Sequence, residues 1–317
     1  MANRLEHTDT LTLPSGRTLA WTVYGGALDL EKTARPTIIF YFHSFPGSAT
    51  EARCLSRELL HRHDARCVAL DRPGVGISTH DDERRILDWP DDVLAVADHL
   101  RIAQFYVLGV SGGAPYALAC ASAIPRVDMS SPDTQSQGRL RGVAVVSGIY
   151  PTSLGVAGML PELRALLASG AWLPRFATGA MLDWTMGRAA RHADPHVLEA
   201  EMDRAMAARP AAERAAWANA NVRSVAVESL RGAFRQGGWP LATELMLLSD
   251  WGFRLQDLDG KGIRLWHGQL DRNVPCGMAE KAAELMTGCQ THFFANDGHL
   301  SMSANHMDEI VADLLRA

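Results

Sequence analysis

Ser111 stands at the centre of the run Gly109-Val110-Ser111-Gly112-Gly113. Residues 105–108 before it form a short apolar run that predicts a buried strand, and residues 114–123 after it predict a helix. A turn that passes so sharply from strand to helix strains its central residue and crowds its neighbours. Glycines two positions to either side keep the turn sterically open while the serine projects outward. A serine hydroxyl is a weak nucleophile near neutral pH, so it needs an adjacent base, normally a histidine oriented by a carboxylate. Asp271 and His299 offer both. Asp271 follows the apolar run 263–267, where the C-terminal end of a parallel strand would present it to a crevice. His299 follows the next predicted strand, in Asp297-Gly298-His299-Leu300. The chemistry these three residue types support is nucleophilic acyl transfer.

Alternatives stand beside each assignment. The Gly-rich run could be a turn with an idle serine, Asp271 could cap a turn, and Asp297 could be the acid, although only two residues on one tight loop separate it from His299. The other histidines do not suggest a metal centre. His61 and His63 sit two apart and face away from each other on a helix. Pro195 separates His192 from His196, and no intervening glutamate completes a zinc motif. These are read as surface residues, so neither a metal nor a cofactor is expected.

Two further motifs carry a family resemblance. His43-Ser44-Phe45-Pro46-Gly47-Ser48 is similar to the HGxPGS loop of the α/β-hydrolase superfamily, and Asp71-Arg72-Pro73-Gly74-Val75-Gly76-Ile77-Ser78 is similar to its DRPGxGxS turn. The order serine, acid, histidine also matches. The chain resembles the capped small-molecule hydrolases of that superfamily over essentially its whole length. The resemblance implies an α/β-hydrolase fold and an oxyanion hole built from the backbone N–H groups of Phe45 and Gly112. Loss of one such donor typically costs about 2.7–4 kcal/mol of barrier. It also implies that His43 braces its loop. Ser44 departs from the glycine usual there. Serine rather than aspartate at 111 disfavours epoxide hydrolase and haloalkane dehalogenase activity.

The elements that must hold these residues can be read from periodicity. Residues 10–13 and 17–24 predict edge strands around a turn, and 37–42, 67–70, 105–108 and 143–146 predict buried strands. Ser48 and Glu51 form an S-x-x-E pattern that predicts a capping box and a helix running to about residue 63. Val93, Val96, Ala97 and Leu100 recur at helical spacing after Pro90. Such alternation predicts a mostly parallel, doubly wound sheet between helices. It stops near Tyr150 and resumes at 263. We therefore divide the chain into a first core part at 1–149, a helical cap at 150–258 and a second core part at 259–317. Residues 132–138 are polar and predict a surface loop. Most aromatics of the cap are read as packing residues, with Trp172, Trp184 and Trp217 as candidates to line a substrate pocket. The acidic residues Glu199, Glu201, Asp203 and Glu213 are read as a solvated helix face.

With 317 residues, nearly half of them apolar, the chain can bury a substantial core, which excludes a disordered or fibrous protein. A formal net charge of -5 and scattered Lys and Arg make nucleic acid an unfavourable partner. Residues 1–7 lack the apolar stretch of a signal peptide and no run reaches the ~18 apolar residues of a membrane helix, so a cytoplasmic protein is expected, away from the membrane. Its five cysteines show no pairing pattern and are expected to be free thiols. The expected partner is a small, moderately hydrophobic ester or lactone, and a homodimer is left open. Competing readings are a carbon–carbon hydrolase, an acyl-transferring cyclase, a proline-iminopeptidase-like peptidase using the acidic residues of the cap, and a ligand receptor with a retained triad.

Overall fold

The structure, a computed structural model, describes residues 8–28, 36–127 and 138–316. Residues 1–7, on which the leader expectation rests, lie outside the described residues, as does the predicted polar loop except for Gly138.

Eight strands form one sheet: β1 (Thr8–Thr12), β2 (Thr18–Tyr24), β3 (Thr37–Phe42), β4 (Ala65–Asp71), β5 (Phe105–Val110), β6 (Leu140–Val146), β7 (Ile263–Gly268) and β8 (Gln290–Phe294). Their order is β1-β2-β4-β3-β5-β6-β7-β8. β1 and β2 pair antiparallel and β2 is antiparallel to β4, whereas every later pairing is parallel. The central strands are covered on both faces, which is why they read as continuous apolar runs rather than alternating ones. Because successive side chains point to opposite faces, Phe40, Phe42, Val68 and Leu70 enter one core while Ile39, Tyr41, Cys67 and Ala69 enter the other.

Helices α1 (Arg57–Arg62), α2 (Trp89–His99) and α3 (Ala114–Ala123) follow β3, β4 and β5. The expected capping box at Ser48 and Glu51 does not form. Residues Ala49–Cys54 make a 3-10 turn instead, Ser48 gives no side-chain cap, and α1 starts only after Ser56, whose hydroxyl accepts the Leu59 N–H at 3.1 Å. Glu51 turns inward, where Tyr41 Oη donates to it at 2.9 Å and the Ser44 N–H at 3.1 Å. Tertiary partners have taken the carboxylate that local spacing assigned to a helix end.

Between β6 and β7 the described chain is helical: α4 (Pro161–Trp172), α5 (Arg175–Leu182), α6 (Arg188–Ala190), α7 (His196–Ala207), α8 (Ala211–Ala218), α9 (Ala220–Ala233) and α10 (Gly238–Leu247). Leu182, Leu198, Trp217, Val227 and Phe234 form a core of their own here, joined by Val75 from the β4 side. The ends of the segment behave differently. Leu245, Leu248, Trp251, Leu255 and Leu258 enter the main core beside the sheet. Glu244 on α10 also pairs with Arg72 and Arg84, all three buried. The insertion is thus seated on the main core through both its ends, since Tyr150 and Met159 at its start enter the same cluster. The chain closes with α11 (Cys276–Leu285) and α12 (His299–Leu314). Among the described residues no helix is long and apolar enough to cross a membrane.

Asp71, at the end of β4, is buried and its Oδ1 accepts the Ala49 N–H at 2.7 Å. Burial pushes its carboxyl up from 3.8 to about 6, with the Ala49 hydrogen bond and Arg72 opposing. A carboxyl whose folded-state pKa exceeds its unfolded value binds its proton more tightly in the folded state. Stability is therefore lost as pH rises from about 4 to 6 and changes little above, by an order of about 3 kcal/mol. Asp71→Asn keeps the acceptor and removes the buried charge. The variant should gain stability over wild type at pH 7.5, and gain less at pH 5, in urea titrations at the two pH values.

Candidate active site

The turn after β5 has the form expected from its sequence. Residues Ser111–Gly113 make one 3-10 turn that runs into α3, and Ser111 takes a left-handed φ of 50°. A non-glycine residue held there is strained, and such strain persists only where the surroundings enforce it. β5 delivers the serine to the C-terminal edge of the parallel strands.

The loops after β7 and β8 meet it at that edge. His299, the first residue of α12, has Nε2 3.0 Å from Ser111 Oγ and Nδ1 2.7 Å from Asp271 Oδ2. The Nδ1–H donates to the carboxylate, which leaves Nε2 free to accept the serine proton. Asp271 also caps its own turn, since Oδ1 accepts the N–H groups of Asn273 and Val274, each at 2.8 Å. The one carboxylate thus contacts His299 and caps its own turn. Asp297 faces elsewhere, accepting from Asn305 at 2.8 Å and His306 at 2.9 Å.

Burial by itself would raise the Asp271 carboxyl, but the charge of His299 and hydrogen bonds from His267 and His299 hold it well below the usual carboxylate range. Burial would likewise lower His299, and the Asp271 carboxylate, with Glu213 and Glu51 at greater range, carries it above the ordinary histidine value instead. The imidazolium that would form during proton transfer is thus stabilised in advance.

The loop after β3 lies against this elbow. A Cβ at position 112 would stand 2.5 Å from the Phe45 Cβ and 2.7 Å from the Phe45 backbone nitrogen, so only glycine lets the two segments approach. The loop is pinned from below. Arg72 donates to the carbonyls of His43 at 2.7 Å and Ser44 at 3.0 Å, and His43 Nδ1–H donates to the Ser44 carbonyl at 2.9 Å. Burial, then the nearby Arg72 charge, push His43 well below the usual histidine range, so it is neutral and holds shape only. Ser44, the departure from the family motif, is accommodated by Glu51, which accepts from both its N–H and its hydroxyl.

Other sequence candidates fall outside this constellation. Trp172 and Trp184 are 85% and 72% exposed. Trp217 is buried, its Nε1 donating to Asp203 at 2.6 Å, in the cluster that also takes in Phe45 and Leu300. The solvated acidic face is corrected, because Glu213 is buried. Glu199 pairs with Arg223 at 2.8 Å and with exposed His196. The five cysteines are free, and burial pushes every one of their thiols upward, Cys54 to about 12 and Cys276 to about 11, so no thiolate competes with the serine.

Two contributors were missed in the sequence. Ser147 Oγ donates to the His299 carbonyl at 3.2 Å, and His267, fully buried, lies 3.3 Å from Asp271 Oδ2 while donating to the Val274 carbonyl at 2.8 Å. Both sit at the ends of sheet strands, β6 and β7, which was the only signal available.

A sequence profile described as the alpha/beta hydrolase family matches residues 39–314. The chain belongs to this family. Solved structures share the hydrolase fold over nearly the full chain. A hydrolase from Pseudomonas aeruginosa PA01 superposes with a TM-score of 0.62 at 16% identity, covering 99% of this chain and 100% of that one. A structure from work on carboxylesterases of Nitrososphaera gargenis gives 0.65 at 15%, covering 97% and 98%. The enol-lactonase of Burkholderia xenovorans LB400 gives 0.61 at 18%, covering 98% and 100%. No curated protein matches this hydrolase in sequence.

Proposed function

We propose that this hydrolase forms an acyl-enzyme on Ser111 with a small, moderately hydrophobic ester or lactone and releases the acid by hydrolysis. The observation that carries the reading is the unbroken chain of contacts Ser111–His299–Asp271 on a strained strand-to-helix turn. Ser111 Oγ attacks the carbonyl carbon while its proton passes to His299 Nε2. The bond to carbon forms as the carbonyl π pair moves onto oxygen, and the N–H groups of Phe45 and Gly112 are the donors aimed at that oxyanion. Collapse expels the alkoxide, which takes the proton from Nε2. Water then attacks the ester on Ser111 by the same route in reverse, with His299 as base again. Asp271 stays ionised throughout, holding the tautomer and the imidazolium. No cofactor enters any of these steps. The carboxylesterase and enol-lactonase folds among the similar structures favour an ester or lactone over a peptide.

The test is a panel of acyl esters of graded chain length, lactones and proline anilides offered to purified protein. Turnover of esters or lactones is expected; activity confined to proline anilides, or saturable binding without turnover, would sink the reading. The pH dependence adds a second check. With acylation limiting, kcat/KM should rise with pH through one ionisation lying above the ordinary value of about 6.5 for a histidine, because only neutral His299 accepts the serine proton. A flat profile across roughly pH 5 to 8 would exclude a histidine base.

A further inference from the structure

α12 begins at His299, and the first turn of any helix leaves backbone N–H groups that no residue of that helix can satisfy. The residue before the helix usually supplies a side-chain oxygen for them. Here that residue is Gly298, which has none. Ser301 Oγ accepts the Gly298 N–H at 2.8 Å, which is only the return half of a cap. The forward half arrives from the insertion. Glu213 on α8 accepts the Leu300 N–H with both carboxylate oxygens, at 3.0 and 3.1 Å, and the Ser301 N–H at 3.0 Å. The side chain is buried. It comes so close that a Cβ at 298 would stand 2.7 Å from Glu213 Oε1, so glycine there admits the carboxylate. A charged acceptor on backbone N–H groups at the N-terminus of a 16-residue helix is the strong form of this contact.

The turn held in this way is the one that carries His299. Its own carbonyl is fixed from the sheet side by Ser147. We propose that Glu213 is a positioning residue of the reaction, a carboxylate of the helical insertion that caps α12 in place of a residue of its own chain segment and so sets the orientation of the His299 imidazole. The proposal rests on the reading of His299 as the base. It gives the insertion a part beyond shaping a pocket, since seating α8 and orienting the base become one event. Three carboxylates face His299: Asp271 in contact from the loop after β7, Glu51 from the turn after β3, and Glu213 from α8, and each favours the charged ring against its burial.

The experiment compares wild type with Glu213→Gln, Glu213→Ala and Glu213→Asp. Two quantities are read from about pH 5 to 9: the rate constant for labelling of Ser111 by a small phosphonate, and the His299 ring titration followed by NMR. Loss of orientation should slow labelling of the alanine variant by about ten- to a hundredfold, because small misplacements of a catalytic group are costly. The glutamine variant keeps the shape but loses the charge, so its midpoint should move to lower pH in both readouts, and the aspartate variant should recover part of the rate and the midpoint. Folded glutamine and alanine variants with wild-type rate and midpoint would overturn the proposal. So would a uniform loss of rate with an unmoved midpoint, since that marks a merely structural contact. If wild type failed to label at Ser111, the hydrolase reading itself would fall, while the NMR titration, which needs no turnover, would still decide the place of Glu213.

Discussion

Replacing Ser111 by alanine should lower turnover of any ester or lactone substrate by about 10⁶-fold, the scale seen when a serine nucleophile is deleted from an intact triad. Stability should change by less than about 1 kcal/mol. Alanine keeps the Cβ, so the left-handed turn at φ 50° carries the same strain in both proteins and only the hydroxyl is lost. His299 Nε2 loses its 3.0 Å partner but stays anchored through Nδ1 to Asp271. Single-turnover kinetics and urea titration of the same preparation separate the two effects. A variant that unfolds, or one that retains a tenth of wild-type turnover, contradicts the assignment of Ser111.

Asp271→Asn should lower kcat by about 10⁴-fold. The amide can still accept from Asn273 and Val274 through Oδ1, so the turn survives. At the Oδ2 position an NH₂ group would face the Nδ1–H of His299, and the ring must adopt the other tautomer, which puts a proton on the nitrogen that should receive one from Ser111. Asp297→Asn makes the comparison informative. Asp297 accepts from Asn305 and His306 and does not touch His299, so its loss should cost far less. Reversal of the two effects would identify Asp297 as the acid.

These residues were legible because each sits where a parallel sheet must end. Buried strands on both-sided sheets read as apolar runs, and the loops at their C-terminal ends gather at one edge, so order along the chain became proximity in space for Ser111, Asp271 and His299. The exchange of local signals for tertiary ones is where reading the sequence fell short. Glu51 carries the spacing of a capping residue, yet it serves Ser44 and Tyr41 because the loop after β3 folds back over it. Glu213 has the spacing of a solvated helix face, and only the docking of α8 on α12 shows that Gly298 needs a borrowed acceptor. Trp172 and Trp184 are largely exposed, and nothing in the pattern of a helical insertion fixes which side of a helix meets the sheet. His267, by contrast, could have been suspected from its place at the end of β7, four residues before Asp271.

The most direct measurement is mass spectrometry of the covalent adduct left by a small serine-directed phosphonate, mapped to a peptide in wild type, Ser111→Ala and His299→Ala. A single adduct on the peptide containing Ser111 is predicted for wild type, none for Ser111→Ala, and formation slowed by orders of magnitude for His299→Ala, since the hydroxyl then has no base. An adduct of equal yield in Ser111→Ala, or one mapped to another residue in wild type, would contradict an acyl-enzyme on Ser111.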